Sequence, residues 1–399
     1  MPSKKKVEDE ELKPLRRIAW GGQIRPRFEY DARDFNKDTD PDTFTSLRTR
    51  VQFDVSLAEG MQAFIQLQDV RFFGEEASPL GDFEADHFDL HQGYLEVQDL
   101  FGKPLSFRLG RQELSFDEER LIGNVDFTPQ GQAFDGFRLT YERPSDQWDL
   151  FAMKINDGVA QGLTPIGNSE GDDVNFYGIY ARVKPVPTHI LSGYFLWLED
   201  EPKDTDRFTT GARLEGNLGP FSYRSEAYYQ FGQAGSQDIR AFLVGLRGTY
   251  TVESIYKPSF TLWYDYLSGD DNLEDNKIKV FDTLFATNHR FYGFMDIFLN
   301  IPRDTGNRGL QDVAIKFSMI PHRTTKLFLE LHQFFLAEKD DRGEDNLGQE
   351  IDLVIPYLFR RRMEISFGYS HFFIGKALED LKGSNDDADW AYVMLDLNF

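Results

Sequence analysis

Arginine recurs through the first two-thirds of this chain at positions that share one phase of a two-residue alternation: Arg25 and Arg27, Arg48 and Arg50, then Arg108, Arg138, Arg182, Arg213, Arg224 and Arg247. A guanidinium stays charged at any physiological pH and meets a carboxylate through a forked pair of hydrogen bonds. A row of them on one surface would bind an anion and hand it on. In the last third the residues at the same phase are acids: Glu330, Glu350, Asp352 and Glu364. In a closed structure the two sets would face each other and set up a transverse field. The blander reading is that each arginine pairs with an acid on a neighbouring strand, with Glu29, Asp54, Glu142, Glu215 and Glu226 available, because interior charges are usually paired.

A second basic group, His289, Arg290, Arg303 and Arg308, lies among Phe281, Phe285, Phe291, Tyr292 and Phe294 within 269–308, where no amphipathic strand can be placed. Folded inward, this loop would constrict a channel; folded outward, it would pack on the rim. A short helix is expected near 290–300. Loops of this length are usually functional.

Catalytic readings find little support. His189, His289, His332 and His371 are scattered, no HExxH or GxSxG occurs, and Asp270 and Asp271 sit in a polar loop without apolar context to shift a pKa. Ser370 and His371 occupy successive strand positions and so point to opposite faces, which disfavours a barrel-embedded lipid hydrolase. No catalytic residue, metal-ligand set or cofactor is expected. The acidic bursts EEASPLGDFEAD, DDNLEDN, EKDDRGED and SNDDAD offer oxygens to Ca2+, but none has EF-hand spacing, and solvated loops are the simpler account.

The elements that position these residues are strands. The 399 residues include 37 Phe, 17 Tyr and 33 Gly but no Cys, a blend of strand-forming aromatics and turn residues. No apolar run approaches the roughly eighteen residues of a membrane-spanning helix. Alternation is immediate: Trp20, Gly22, Ile24, Pro26, Phe28 and Tyr30 share one face, and Gln23, Arg25, Arg27 and Glu29 the other. Leu47, Val51, Phe53, Val55 and Leu57 likewise oppose Arg48, Arg50, Gln52 and Asp54. The pattern persists at Leu105–Leu109, Phe137–Tyr141, Tyr177–Val183, Phe221–Tyr229 and Phe260–Tyr266, whereas 61–73, 147–156 and 188–199 are less clean and suggest bulges. Segments near 324–337, 348–358, 362–374 and 388–399 complete the series.

Short turns such as 58–60, 142–146 and 218–220 alternate with longer polar connections, the asymmetry of outer-membrane barrels. Both chain ends then lie at the short-turn rim and the strand number is even, which makes 269–308 a single loop. The start, MPSKKKVEDEELKPLRR, has no apolar stretch and does not read as a signal peptide. Residues 1–15 are expected to form a charged, disordered tail and 16–399 a single barrel domain. The final ADWAYVMLDLNF puts Val393, Leu395, Leu397 and Phe399 on one face, an ending that resembles the recognition signal the outer-membrane barrel-assembly machinery reads on its clients.

Residues 107–142 (FRLGRQELSFDEERLIGNVDFTPQGQAFDGFRLTYE) and 280–298 (VFDTLFATNHRFYGFMDIF), with LGQEIDLVIPY, FGYSHFF and DADWAYVMLDLNF, resemble the alginate-export porin family of bacterial outer membranes. The resemblance runs from about residue 18 to the end. It implies an eighteen-stranded barrel with a narrow, charged lumen, used in the family's namesake to pass an anionic polysaccharide outward. The combined expectation is an all-β, transmembrane, antiparallel up-and-down barrel of about 18 strands with one or more inward-folded loops. It would pass anionic or sugar-acid solutes, an alginate-type polyuronate among them, by passive diffusion through an arginine-lined lumen. Its expected partners are outer-membrane lipid and lipopolysaccharide, the barrel-assembly machinery and the anionic solute. A net charge of −23 without a basic cluster excludes nucleic acid. A structural or adhesive barrel plugged by its own loops is the alternative.

Overall fold

The computed structural model describes residues 17–74, 88–157 and 173–399; the charged tail at 1–15 and the acidic stretch EEASPLGDFEAD lie outside them. Alternating residues form long strands: β1 (Arg17–Ala32), β2 (Asp42–Ala58), β3 (Met61–Phe72), β4 (Phe88–Val97), β5 (Leu105–Gln112), β6 (Phe134–Arg143), β7 (Asp146–Asp157), β8 (Asp173–Val186) and β9 (His189–Asp200). They continue as β10 (Thr205–Leu218), β11 (Phe221–Ala234), β12 (Gln237–Thr251) and β13 (Ser259–Leu267). After a two-residue strand, β14 (Lys277–Ile278), come β15 (Leu310–His322), β16 (Thr325–Leu336), β17 (Asn346–Arg360), β18 (Met363–Ile374) and β19 (Ala388–Asn398).

Leaving β14 aside, each strand pairs antiparallel with the next, and β19 pairs back with β1, closing an 18-strand barrel. β14 only adds a short parallel pairing to β12 at Asp238 and Ile239. Closure removes every sheet edge, the condition for crossing a bilayer with strands. At the seam the register runs Ile24↔Leu397 to Ala32↔Asp389, and Phe399 exchanges two 3.0 Å backbone hydrogen bonds with Gly22. The Phe399 ring lies over Gly22, where a Cβ would come within 2.6 Å of it, so only glycine admits this packing.

The phase expected from sequence is the one observed. Trp20, Ile24, Phe28 and Tyr30 are exposed on the outer face while Arg25, Arg27 and Glu29 are buried on the inner one. The same outward apolar band runs through Leu109, Phe137, Ile179, Phe195, Leu246, Leu262, Ile315, Ile351, Phe367 and Val393. The segments that read poorly do so for a physical reason. In β7 and β9 the inner face carries Phe151, Met153 and Leu196, which are buried against loops inside the barrel together with Phe176 of β8. Apolar residues therefore occupy both faces and the alternation disappears. Register shifts at Gln66/Leu67 and Lys154/Asn156 mark irregularities where a bulge was expected.

Two connections fill part of the interior, 113–133 between β5 and β6 and 268–309 between β13 and β15. The expected helix near 290–300 is instead a 3-10 turn at Asn288–Arg290 and a single helical turn, α1 (Ile301–Asp304). Pro302 fits the first turn of α1, and Asn300 caps it by accepting from the Arg303 N–H. The two loops are joined by a parallel bridge between Ile122 and Phe285, with Gly123 N donating to Phe285 O at 2.9 Å and Phe285 N to Leu121 O at 3.0 Å. Phe116, Leu121, Ile122, Phe281, Phe291, Tyr292 and Phe298 from these loops form one buried cluster with inner-wall residues. A loop carrying so many large apolar side chains gains roughly 1.5–3 kcal/mol for each one buried, which accounts for its position inside.

Candidate solute pathway

Antiparallel register brings the inner-face arginines together in like-charged pairs. Arg25 stands directly opposite Arg48 on β1 and β2, Arg108 opposite Arg138 on β5 and β6, and Arg224 opposite Arg247 on β11 and β12. Like charges in that relation repel. Each pair is accordingly met by carboxylate. Asp126 lies 2.8 Å from Arg48, 3.2 Å from Arg50 and 3.7 Å from Arg25. Glu118 pairs with Arg224, and with Arg247 at 2.6 Å. Arg108 takes Glu96 at 2.6 Å and Arg138 takes Asp149 at 2.7 Å.

Glu118 and Asp126 both belong to loop 113–133, and the strands they hold lie on opposite sides of the ring. The loop is thus a strut across the lumen. At one end Arg25, Arg27 and Arg48 also donate to the carbonyls of Asp126, Phe127 and Thr128 at 2.7–3.3 Å. Preceding Asp126, Val125 sits at φ 50, a conformation β-branched residues rarely adopt. At the other end Asp117 accepts from Tyr180, Ser192 and Tyr194 at 2.6–2.9 Å and lies 3.5 Å from Arg213. Beside Glu118, Arg120 is fully buried, 2.8 Å from both Glu226 and Asp265 and 2.9 Å from the Tyr292 hydroxyl.

Burial alone would raise the Glu118 carboxyl, but Arg224, Arg247 and Arg213 bring it down to about 2. Asp126 is likewise held below the ordinary carboxylate range: Arg48, Arg25 and Arg50 outweigh its desolvation. Burial opposes the charge on Arg120, yet Asp265 and Glu226 keep its guanidinium protonated well beyond its ordinary range.

Of the acids expected as neighbouring-strand partners, Glu29, Glu215 and Glu226 instead pair within their own strands, with Arg27 at 2.7 Å, Arg213 at 2.6 Å and Arg224 at 3.4 Å. Glu226 also reaches Arg213 on the next strand at 4.0 Å, while no ion pair forms at Asp54 or Glu142 among the described residues. Arg182 has no carboxylate within ion-pair distance among the described residues. It lines a cavity of about 420 Å³ with Asp117, Glu118, Tyr180, Arg213 and Glu215. A second cavity of about 260 Å³ places Glu118, Arg247, Arg290, Lys316 and Glu330 around Trp263.

The simple transverse field needs correction. Arg25 and Arg48 face Arg213 and Arg224 across the ring, and only Arg138 and Arg182 lie opposite the strands that bear Glu330, Glu350, Asp352 and Glu364. Glu350 and Asp352 are buried on the inner face, Glu330 pairs with Lys316 at 2.5 Å, and Glu364 is exposed near the turn after β17. Of the long-loop residues, His289 stacks on Phe127 with centroids 3.8 Å apart and bonds Asp296 at 2.8 Å, and Arg290 lies 3.4 Å from Glu119. Arg303 and Arg308 do not join them. Arg303 is exposed and pairs with Asp304, whereas Arg308 reaches Asp341 at 2.6 Å on the neighbouring loop.

The three acidic bursts within the described residues hold basic side chains: Lys279 pairs with Asp271 and Asp275, Arg308 with Asp341, and Lys37 with Asp386. Ser370 bonds Asp352 on the inner face while His371 pairs with Asp389 at 2.9 Å, so the two do not combine.

Sequence reasoning missed Glu118, Arg120 and Asp126. The available signal was the run DEER at 117–120, flanked by Phe116 on one side and Leu121 and Ile122 on the other, since a connection with apolar residues on both sides of a charge cluster must pack against something.

A closed antiparallel barrel with inward-folded loops and charged inner walls defines the porin class. The chain belongs to the alginate export family, whose model matches residues 16–392. Among solved structures it is similar to OccD3 (OpdP) of Pseudomonas aeruginosa, at 12% identity and a TM-score of 0.66 over 96% of this chain and 92% of that one. OccK3 (OpdO) of the same organism gives 10% identity and a TM-score of 0.67 over 96% of each chain. OccAB4 of Acinetobacter baumannii gives 12% and 0.65 over 97% and 99%. No curated protein matches the chain by sequence.

Proposed function

We propose that this protein is a passive channel of the bacterial outer membrane for anionic or sugar-acid solutes, an alginate-type polyuronate among them, and that no cofactor takes part. The observation that carries the reading is the set of opposed arginine pairs, two of which are neutralised by loop carboxylates, Asp126 and Glu118, rather than by the wall itself. A solute carboxylate has the same chemistry as these side chains. It can exchange with them along the path and meets at Arg182 a guanidinium with which no carboxylate of the described residues pairs.

The family supports the class of cargo, and the outward apolar band supports contact with membrane lipid and the lipid part of lipopolysaccharide. The seam at Phe399 is the surface that an assembly factor would read.

Reconstitution in a planar bilayer tests the proposal. Conductance steps with chloride preferred over potassium are expected, and the triple replacement of Arg25, Arg48 and Arg138 by alanine should reduce that preference. Potassium preference in the wild type would overturn the anion pathway. The absence of any step would favour a plugged structural barrel, a reading that the buried aromatic packing between the two loops supports.

A further inference from the structure

The wall formed by β15, β16 and β17 holds charge that the arginine pairs leave unexplained. Register sets Glu330 opposite Asp352 and His332 opposite Glu350 on β16 and β17, with Lys316 opposite Glu330 on β15. Directly opposed side chains on one face are near neighbours, with Cβ atoms roughly 4.5–5.5 Å apart. Asp312, Glu350 and Asp352 are fully buried, and His332 almost so. Four acids therefore share the site with one lysine and one histidine. Even with His332 protonated, an excess of negative charge stays buried, which is costly unless a proton or a cation offsets it.

Two oxygens in the cluster, Asp352 Oδ2 and Glu350 Oε2, are buried with no donor among the described residues except a proton that the two adjoining carboxyls would share. Glu350 adjoins Asp352, and its other oxygen accepts from the Met295 N–H at 2.8 Å, so the unpartnered oxygen belongs to a side chain fixed in place.

We propose that Glu330, His332 and Asp352 form a binding site for one divalent first-row transition-metal ion of the Zn2+ class. One ligand atom from each lies within 4.8 Å of the others, which a small side-chain contraction brings to bonds of about 2.0–2.2 Å. The surroundings are those of a metal site. Asp312 takes His332 Nδ1 with both oxygens at 3.0 Å, which fixes the tautomer and leaves Nε2 as the ligand, 3.3 Å from Glu330 Oε2. Ser370 donates to Asp352 Oδ1, which leaves Oδ2 to a proton shared with Glu350 or to a metal ion in its place. Lys316 secures Glu330, and the cavity of about 260 Å³ that Glu330 and Lys316 line gives an entry path. One imidazole with two carboxylates suits Zn2+, Ni2+ or Co2+, whereas Ca2+ takes six to eight oxygens. This inference does not depend on the solute proposed above.

The experiment uses untagged full-length barrel in detergent, stripped with chelator and reloaded with Zn2+. One zinc per chain should survive desalting, and X-ray absorption at the zinc edge should show one imidazole and two carboxylates. His332→Gln and Asp352→Asn should each weaken zinc binding at least tenfold, while His371→Gln, outside the cluster, should not. Zinc loss without retention in the wild type would overturn the site and leave a proton shared by Glu350 and Asp352. Equal binding by His332→Gln, or a histidine count other than one in the wild-type spectrum, would overturn it too. The spectrum decides the matter even if a variant fails to fold.

Discussion

Arg25 and Arg48 are cross-strand neighbours of like charge that share one counterion, Asp126, carried in from a loop 78 residues beyond Arg48. The wall alone would repel itself at this point. Fold and selectivity are therefore linked: the carboxylate that stabilises the barrel also lowers the positive potential an incoming anion meets.

Asp126→Asn keeps the carbonyl contacts of the loop and removes its charge. Anion preference should rise by about threefold, the effect of roughly 0.7 kcal/mol on an ion in a partly screened lumen. Zero-current potentials in a salt gradient measure this. An unchanged potential would place the permeation path away from Arg25 and Arg48.

Glu118 makes the other end of the strut sensitive to acid. Its carboxyl titrates near 2 in the folded barrel against an ordinary 4.5, so the anionic form is favoured by folding. A depressed value means that this contribution is complete above about 4.5 and is lost as the pH falls toward about 2. The Glu118 contribution should thus be constant from pH 5 to 8, with loop release in the acid window, seen as increased current noise or protease access. Glu118→Gln should remove the part of the acid dependence that arises at this end of the strut, leaving the part due to Asp126.

Arg120→Met removes the cation that contacts both Glu226 and Asp265 beside the Glu118 end of the strut. Breaking a buried pair in this way costs about 3–5 kcal/mol because uncompensated charge stays behind. The fraction running as folded barrel on an unheated gel should fall at lower temperature. The triple variant Arg120→Met, Glu226→Gln, Asp265→Asn should recover most of the loss.

Gly22→Val places a side chain where the Phe399 ring and the Arg50 carbonyl already stand, each 2.6 Å from the Cβ position. Overpacking of this kind costs about 1–3 kcal/mol. Because it falls at the β1–β19 seam, slower assembly into heat-modifiable barrel is expected, and Phe399→Ala in the same chain should relieve part of the effect.

A two-residue period is local information. It needs only that one face of each strand meets lipid and the other meets water or charge, so the phase of Arg25, Arg48, Arg138 and Arg224 and the outward band through Trp20 and Phe28 were legible without coordinates. The long loop 268–309 was visible for the same reason, as a gap in the alternation. It was where apolar side chains faced loops rather than water, at Phe151, Met153 and Leu196, that the pattern failed.

Strand-to-strand register and loop path depend on contacts between residues far apart in the chain, which no local spacing encodes. The folded structure alone set Arg25 against Arg48 and carried Asp126 and Glu118 to opposite walls. It also gathered Glu330, His332 and Asp352 from two neighbouring strands into a cluster that a search for ligand spacing along one segment would pass over. The sequence by itself determined a barrel with a charged inner face; the tertiary structure decided which charges meet, because barrel closure and loop packing pair residues by position in space.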